Sequence, residues 1–343
     1  KTNCCTSRAI EKMKSALAVI PLMLLAVAYF GYHYQSDASS SDLNLRPIIA
    51  VLAQPPQTHC ATTEDPNPTY TSYIAASYVK FVEGLGARAV PLLWNQSEEE
   101  ILSLLDQVNG VVFPGGATVL YETDSTGKGV PTDYLKVEGL IVKTAIEKNK
   151  QGNHFPIYGI CLGFQSLSLL SMEDLYLDNC LAPNIAVKQT LLGNPSRILS
   201  AAPENLVKDI TTEEMVYESH HQCVMESHFD KSESLKAFWT PITTSSGPDG
   251  HVYINHMEAK DYPFYGFQYH PEKNIYEWTT SGFIPHTPEA IQWTQFLADF
   301  LGGEARQSQQ KFTDSKVEAA TLIYNYEPIY TDNYFEQVYC FPQ

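Results

Sequence analysis

Positive charge is scarce in this chain: 22 Lys and Arg stand against 39 Asp and Glu over 343 residues, a formal net charge of −17. A field of that sign repels phosphate backbones, so no nucleic-acid partner is expected. Cysteine is sparse too, and the seven (Cys4, Cys5, Cys60, Cys161, Cys180, Cys223 and Cys340) contain no CxxC. Neither a zinc site, a redox pair nor a disulfide framework is therefore expected. No internal repeat of solenoid length is present, and the 19 Gly and 21 Pro follow no period, which removes the solenoid, collagen-like and low-complexity classes. What remains is 44% apolar and 12% aromatic, enough to bury a core in one large domain or two small ones.

Long apolar runs are absent except for one. Ala16 to Tyr32 is uncharged and mostly apolar, at the short end of what crosses a bilayer as a helix, and Pro21 is tolerable there. Lys1, Arg8, Lys12 and Lys14 all precede it, so the positive-inside rule places the N-terminus in the cytosol and the remainder in a lumen or outside the cell. Residues 1–45 thus read as a basic leader with a retained membrane anchor at 16–32. A cleaved signal peptide and a removed organelle-targeting peptide are the alternatives, the latter with an organelle inner membrane as the location. Cys4 and Cys5 are acylation candidates, although a solvated thiol pair is the commoner outcome. The sequon Asn95-Gln96-Ser97 is compatible with a lumenal domain.

From Arg46 onward strands alternate with helices. Ile48 to Leu52 (IIAVL) is a continuous apolar run, as a strand covered on both faces requires. Ile74, Tyr78, Phe81 and Leu85 fall at helical spacing, which predicts a helix over Ser72 to Leu85. Ala87 to Leu93 reads as the next strand, and Ser97-Glu98-Glu99-Glu100 as a capping box opening a second helix. Gly110 to Phe113 and Pro156 to Ile160 are further strands flanking a helix over Tyr134 to Lys148. The last helix is predicted over Pro288 to Leu301, stopped by Gly302-Gly303. The pattern predicts a three-layer, doubly wound α/β domain over 46–305 with a mostly parallel, flavodoxin-like sheet, and sites at the carboxyl ends of its strands. Residues 306–343 form a tail that wraps the domain or docks elsewhere.

One such strand end carries Gly159-Ile160-Cys161-Leu162-Gly163. This is a nucleophile elbow with Cys in place of Ser: the central residue occupies a strained turn whose neighbours must lack side chains, and the following helix dipole favours the thiolate. A lone Cys after an apolar strand is ordinarily a small buried hydrophobe. What shifts the balance is Phe264 to Tyr269, a predicted strand ending in His270-Pro271-Glu272. In an extended segment residues two apart face one way, so Glu272 can orient the imidazole that takes the Cys161 proton. Backbone N–H groups of Leu162 and of Gly116, in the loop Phe113-Pro114-Gly115-Gly116, are the expected oxyanion donors.

GICLGFQ, VVFPGG and FQYHPEK resemble the nucleophile, oxyanion and acid/base motifs of class I glutamine amidotransferase-like proteins. More narrowly, Tyr73 to Leu92, FPGG, Tyr265 to Trp278 and Leu322 to Thr331 resemble the γ-glutamyl hydrolases, which cleave folylpolyglutamates. The resemblance implies that Cys161 attacks a γ-glutamyl amide, that His270 moves the proton and that Glu272 orients His270. It implies no metal or organic cofactor, a small-molecule γ-glutamyl substrate, and a lysosomal, vacuolar or secretory setting. By the same resemblance His221, Tyr73 and Gln165 are candidate substrate contacts beside Gly115. Gln165 departs from it, since these hydrolases commonly carry Glu after CLGF, and substrate preference and pH optimum are open at that point. Hydrolysis of γ-glutamyl amines is the alternative activity, a synthase-coupled amidotransferase is disfavoured, and recruitment as a structural subunit of a membrane complex is the non-enzymatic alternative. A homodimer is the other assembly left open.

Overall fold

The computed structural model describes residues 43–343 apart from 57–58, 62–68, 280–281, 332–333 and 343, so the apolar run at 16–32 lies outside the described residues. Among the described residues no helix is long and apolar enough to cross a membrane.

The chain runs β1 (Ile48–Leu52), β2 (Tyr70–Ala75), α1 (Ala76–Gly84), β3 (Arg88–Leu92), α2 (Glu98–Leu105), β4 (Val111–Phe113), a small β5–β6 hairpin (Tyr121–Thr123, Gly129–Pro131) and α3 (Asp133–Lys150). It continues through β7 (Ile157–Ile160), α4 (Leu162–Leu169), β8 (Asp178–Val187), β9 (Thr190–Leu191), α5 (Arg197–Ala201), α6 (Glu204–Thr212) and β10 (Val216–Cys223). Then come α7 (Glu226–Lys231), α8 (Glu233–Phe238), β11 (Trp239–Ser246), β12 (Val252–Ala259), β13 (Phe264–Phe267), α9 (Lys273–Tyr276), α10 (Pro288–Gln307), α11 (Ser315–Thr321), β14 (Ile329–Tyr330) and β15 (Gln337–Pro342).

Eight strands form one sheet in the order β3-β1-β4-β7-β13-β12-β11-β9. The first five are parallel to one another and the last three are joined antiparallel, so the fold is the expected mostly parallel α/β sheet with an antiparallel extension. β1 explains why the sheet is covered twice. Ile49 and Val51 pack with Phe81 of α1 and Trp293 and Leu297 of α10, whereas Ile48, Ala50 and Leu52 pack with Ile101, Leu105 and Ile141 of α2 and α3. Each such aliphatic side chain contributes roughly 1.5–3 kcal/mol by leaving water. The capping box forms: Ser97 Oγ accepts from Glu100 N at 3.3 Å, and Glu100 Oε2 accepts from Ser97 N at 2.9 Å.

Three expectations are corrected. The helix predicted from Ser72 begins at Ala76, because Tyr70 to Ala75 is drawn into an antiparallel pairing with β15 from the tail. The last helix does not stop at Gly302 but runs to Gln307. Gly302 is there for proximity, since a Cβ on it would lie 2.2 Å from the Leu85 carbonyl oxygen. A disulfide framework does exist: Cys60 is bonded to Cys340 and Cys180 to Cys223, which leaves Cys161 as the free thiol among the described residues. The first bond closes 280 residues, a separation at which sequence spacing carries no signal.

Candidate active site

The five parallel strands end along one side of the sheet, and the β7–α4 turn carries Cys161 there. Its backbone sits at φ 52° and ψ −102°, a left-handed conformation that costs about 1–3 kcal/mol for a residue with a side chain. The surroundings hold it: Cys161 N donates to the Phe267 carbonyl of β13 at 2.7 Å. A Cβ on Gly163 would fall 2.1 Å from the Phe113 carbonyl oxygen, and one on Gly159 2.7 Å from that of Gly163, so both flanking positions exclude any side chain. Leu162 opens α4, where first-turn N–H groups have no intrahelical partner.

His270 and Glu272 are both buried, with His270 Nδ1 2.8 Å from Glu272 Oε1. The segment is not the extended strand expected. β13 ends at Phe267, and Glu272 sits in helical conformation at the start of α9, so a turn rather than a pleat brings the pair together. Burial by itself lowers the imidazole pKa, but the Cys161 thiolate and then the Glu272 carboxylate outweigh it, and His270 is raised to about 10. The site is therefore electrostatically suited to a thiolate–imidazolium pair. Gly115 lies at its centre: a Cβ there would come 2.7 Å from His270 Cε1 and 3.0 Å from Cys161 Cβ.

Tyr78 is a residue that the sequence reading assigned to a helix core. It is fully buried, accepts the Gly115 N–H at 2.8 Å and stands 3.4 Å from His270 Nδ1. Burial raises its pKa, and the charges of Glu272 and Cys161 raise it further, so the hydroxyl keeps its proton. Gln54 completes the loop's support. Its Nε2 donates to the Gly115 carbonyl at 2.9 Å, its Oε1 accepts from Thr118 Oγ1 at 2.8 Å, and a Cβ on Gly116 would strike it at 2.1 Å. Helical periodicity could not have distinguished Tyr78 from its packing neighbours, and nothing in the local pattern marked Gln54.

The other candidates are dispersed. Tyr73 is buried on β2 and exchanges backbone hydrogen bonds with Gln54, while its ring packs against His59 and Phe335. His221 is exposed on β10, two residues beyond Ser219, whose carbonyl oxygen lies 3.9 Å from Cys161 Sγ. Its neighbour His220 is buried and paired with Glu218 at 3.0 Å. Gln165, one turn into α4, is nearly buried and donates from Nε2 to the Gln222 carbonyl at 2.7 Å.

The peptidase C26 family pattern matches residues 47–272, a span that contains the elbow, the Gly115-Gly116 loop and the His270–Glu272 pair. The chain belongs to the peptidase C26 family. This C26 peptidase is 37% identical to gamma-glutamyl hydrolase 1 of Arabidopsis thaliana over 309 residues, covering 88% of this chain and 84% of the relative. It is 33% identical to the gamma-glutamyl hydrolase of Homo sapiens over 330 residues, 95% of this chain and 98% of that one. Gamma-glutamyl hydrolase B of Dictyostelium discoideum is 32% identical over 304 residues, with 87% and 84% coverage. The resemblance read from the motifs is thereby confirmed, and the protein is a hydrolase.

Proposed function

We propose that this hydrolase cleaves γ-glutamyl amide bonds of folylpoly-γ-glutamates through a thioester. The observation that carries the reading is the strained Cys161 elbow facing an imidazole whose far nitrogen is held by Glu272 at 2.8 Å. In this mechanism the Cys161 thiolate attacks the γ-carbonyl carbon, and the resulting oxyanion takes hydrogen bonds from the N–H groups of Leu162 and Gly116. The Gly115 N–H is committed to Tyr78, which favours Gly116 as the loop's donor. Collapse breaks the C–N bond, the amine leaves with a proton from the His270 imidazolium, and Cys161 is left as a γ-glutamyl thioester. Neutral His270 then takes a proton from water, whose oxygen attacks the thioester, releasing the carboxylic product and restoring the thiolate. Glu272 fixes the imidazole orientation throughout.

Two disulfides and an exposed Asn95 in its sequon favour an oxidising location, so the catalytic domain belongs in a lumen or outside the cell, with residues 16–32 as its anchor. The test is release of glutamate or polyglutamate from pteroyl-tri-γ-glutamate by the parent chain and by Cys161→Ala, with a small γ-glutamyl amine alongside. Cleavage of the pteroyl compound by the parent alone supports the assignment. Cleavage only of the amine transfers the activity to that substrate class, and cleavage of neither refutes hydrolysis of γ-glutamyl amides.

A further inference from the structure

We propose that Gln165 is a positioning residue, an uncharged latch that holds strand β10 across the nucleophile; the proposal rests on the hydrolase reading above. Its side-chain nitrogen faces two oxygens, donating to the Gln222 carbonyl at 2.7 Å and approaching Gln268 Oε1 at 3.5 Å. Gln268 is fully buried and its backbone is fixed, donating to the Asn255 carbonyl at 2.9 Å. The Gln222 carbonyl is a backbone acceptor, so a group that ties β10 at this point must bring an N–H or O–H donor.

The latch matters because β10 is poorly fixed by its own pairing where it passes the site. Its antiparallel register with β8 shifts between Glu218 and His220 and again between His220 and Gln222. Ser219, whose carbonyl lies 3.9 Å from Cys161 Sγ, sits in that irregular stretch. On the far side Cys223 is tied to Cys180, so Gln165 is the clamp between the disulfide and the residue that borders the thiol. A bulged strand of this kind re-aims side chains but forfeits ladder hydrogen bonds, and a side-chain donor restores one of them.

The chemistry of an amide sets the consequence. A carboxylate at 165 would point its charge at the Gln222 carbonyl oxygen and could bond it only when protonated. The buried titratable groups on the surrounding elements include Cys161 at the head of α4, Tyr217, Glu218 and His220 on β10, Tyr253, His256 and Glu258 on β12, Tyr265 on β13, Glu138 on α3, and His270 with Glu272 beyond β13; His221 on β10 is exposed. His220 is paired with Glu218, Arg197 and His256 with Glu258, and His270 with Glu272, so none of these is a free cation to neutralise a new carboxylate at 165.

The test uses full-length parent, Gln165→Glu and Gln165→Met, with two readouts against pH: kcat/KM on pteroyl-tri-γ-glutamate, and the rate of iodoacetamide modification measured at the Cys161 peptide. Gln165→Glu is expected to stay within about threefold of the parent near pH 5 and to fall roughly tenfold or more below it near pH 8, as the buried carboxyl ionises and the bridge opens. Over the same range its Cys161 modification rate rises relative to the parent, because the Ser219 carbonyl no longer borders the thiol. Gln165→Met is expected to lose activity by a factor that does not vary with pH. Parallel pH profiles for Gln165→Glu and parent in both readouts would overturn the latch. An inactive parent would refute the hydrolase reading, and the modification profile would still decide this one.

Discussion

Replacing Tyr78 by Phe deletes a single oxygen from a fully buried ring, leaving packing volume unchanged, so no cavity contribution enters. What is lost is the acceptor of the Gly115 N–H at 2.8 Å and a hydroxyl 3.4 Å from His270 Nδ1. An orphaned buried N–H costs about 1–3 kcal/mol, and in a protein of this size each kcal/mol lowers Tm by roughly 2 °C. The same deletion frees the loop that carries Gly116 on one side and removes a neighbour of the imidazole on the other. Misplacing an oxyanion donor and a proton carrier together is expected to reduce kcat about 10- to 100-fold with KM nearly unchanged. Because the Tyr78 pKa is raised, the loss should be independent of pH across the working range. Turnover of pteroyl-tri-γ-glutamate and a thermal melt decide the matter. A variant with lower Tm but parental kcat would make Tyr78 a packing residue only, and one unchanged in both would refute the hydrogen-bond argument.

In Cys161→Ser the larger of the two charges that raise His270 disappears while burial remains, so the imidazole pKa should drop from about 10, read by NMR titration of the ring; an unchanged value would sink the thiolate–imidazolium picture. The same raised pKa implies stability that is fully present below pH ~6.5 and lost as pH climbs through the folded value, so the parent should gain more than Cys161→Ser on going from alkaline to neutral pH. Glu138 is fully buried, and desolvation raises its pKa well above 4.5 against the smaller, opposing pull of the Ser166 hydroxyl. Ionisation in the unfolded chain alone then costs stability as pH rises above 4.5, so Glu138→Gln should raise Tm at pH ~8 and much less at pH ~4; equal gains at both would refute it. Cys340→Ser opens a closure of 280 residues and is expected to cost about 2–5 kcal/mol, seen as a lower denaturant midpoint; coincident midpoints would show that strand pairing alone holds the tail.

Local chemistry was legible wherever the information is local. The IIAVL strand, the Ser97–Glu100 capping box and the glycine-flanked Cys161 each announce themselves within a few residues, and each takes its expected form. The pairing of His270 with Glu272 was anticipated, although the route is a turn into α9 rather than strand alternation. Illegible features are those created by distant segments. Ser72 to Ala75 has helical spacing, yet β15 supplies a row of backbone partners and the strand prevails. Cys60 and Cys340 are unremarkable apart and meet only because of that pairing. Gly302 followed the ordinary rule for a helix stop, but the Leu85 carbonyl presses so close that glycine serves the interior of a longer helix. Tyr78 was hidden by the same periodicity that correctly placed it inside.

The pairing of β15 with β2 also has a consequence for the order in which the molecule can come into being. Synthesis delivers β2 and the Tyr78 helix early, then Cys161, then His270 and Glu272, and only afterwards the strand that closes the edge of β2. A nascent chain that has not yet emitted Gln337–Pro342 already holds every group of the proposed chemistry, yet it exposes an unpaired strand edge and a Cys60 thiol without its partner. Such an edge is a template for pairing with another chain. Products of premature termination between Glu272 and Gln337 should therefore fail by aggregation and mispaired thiols rather than persist as a smaller working enzyme.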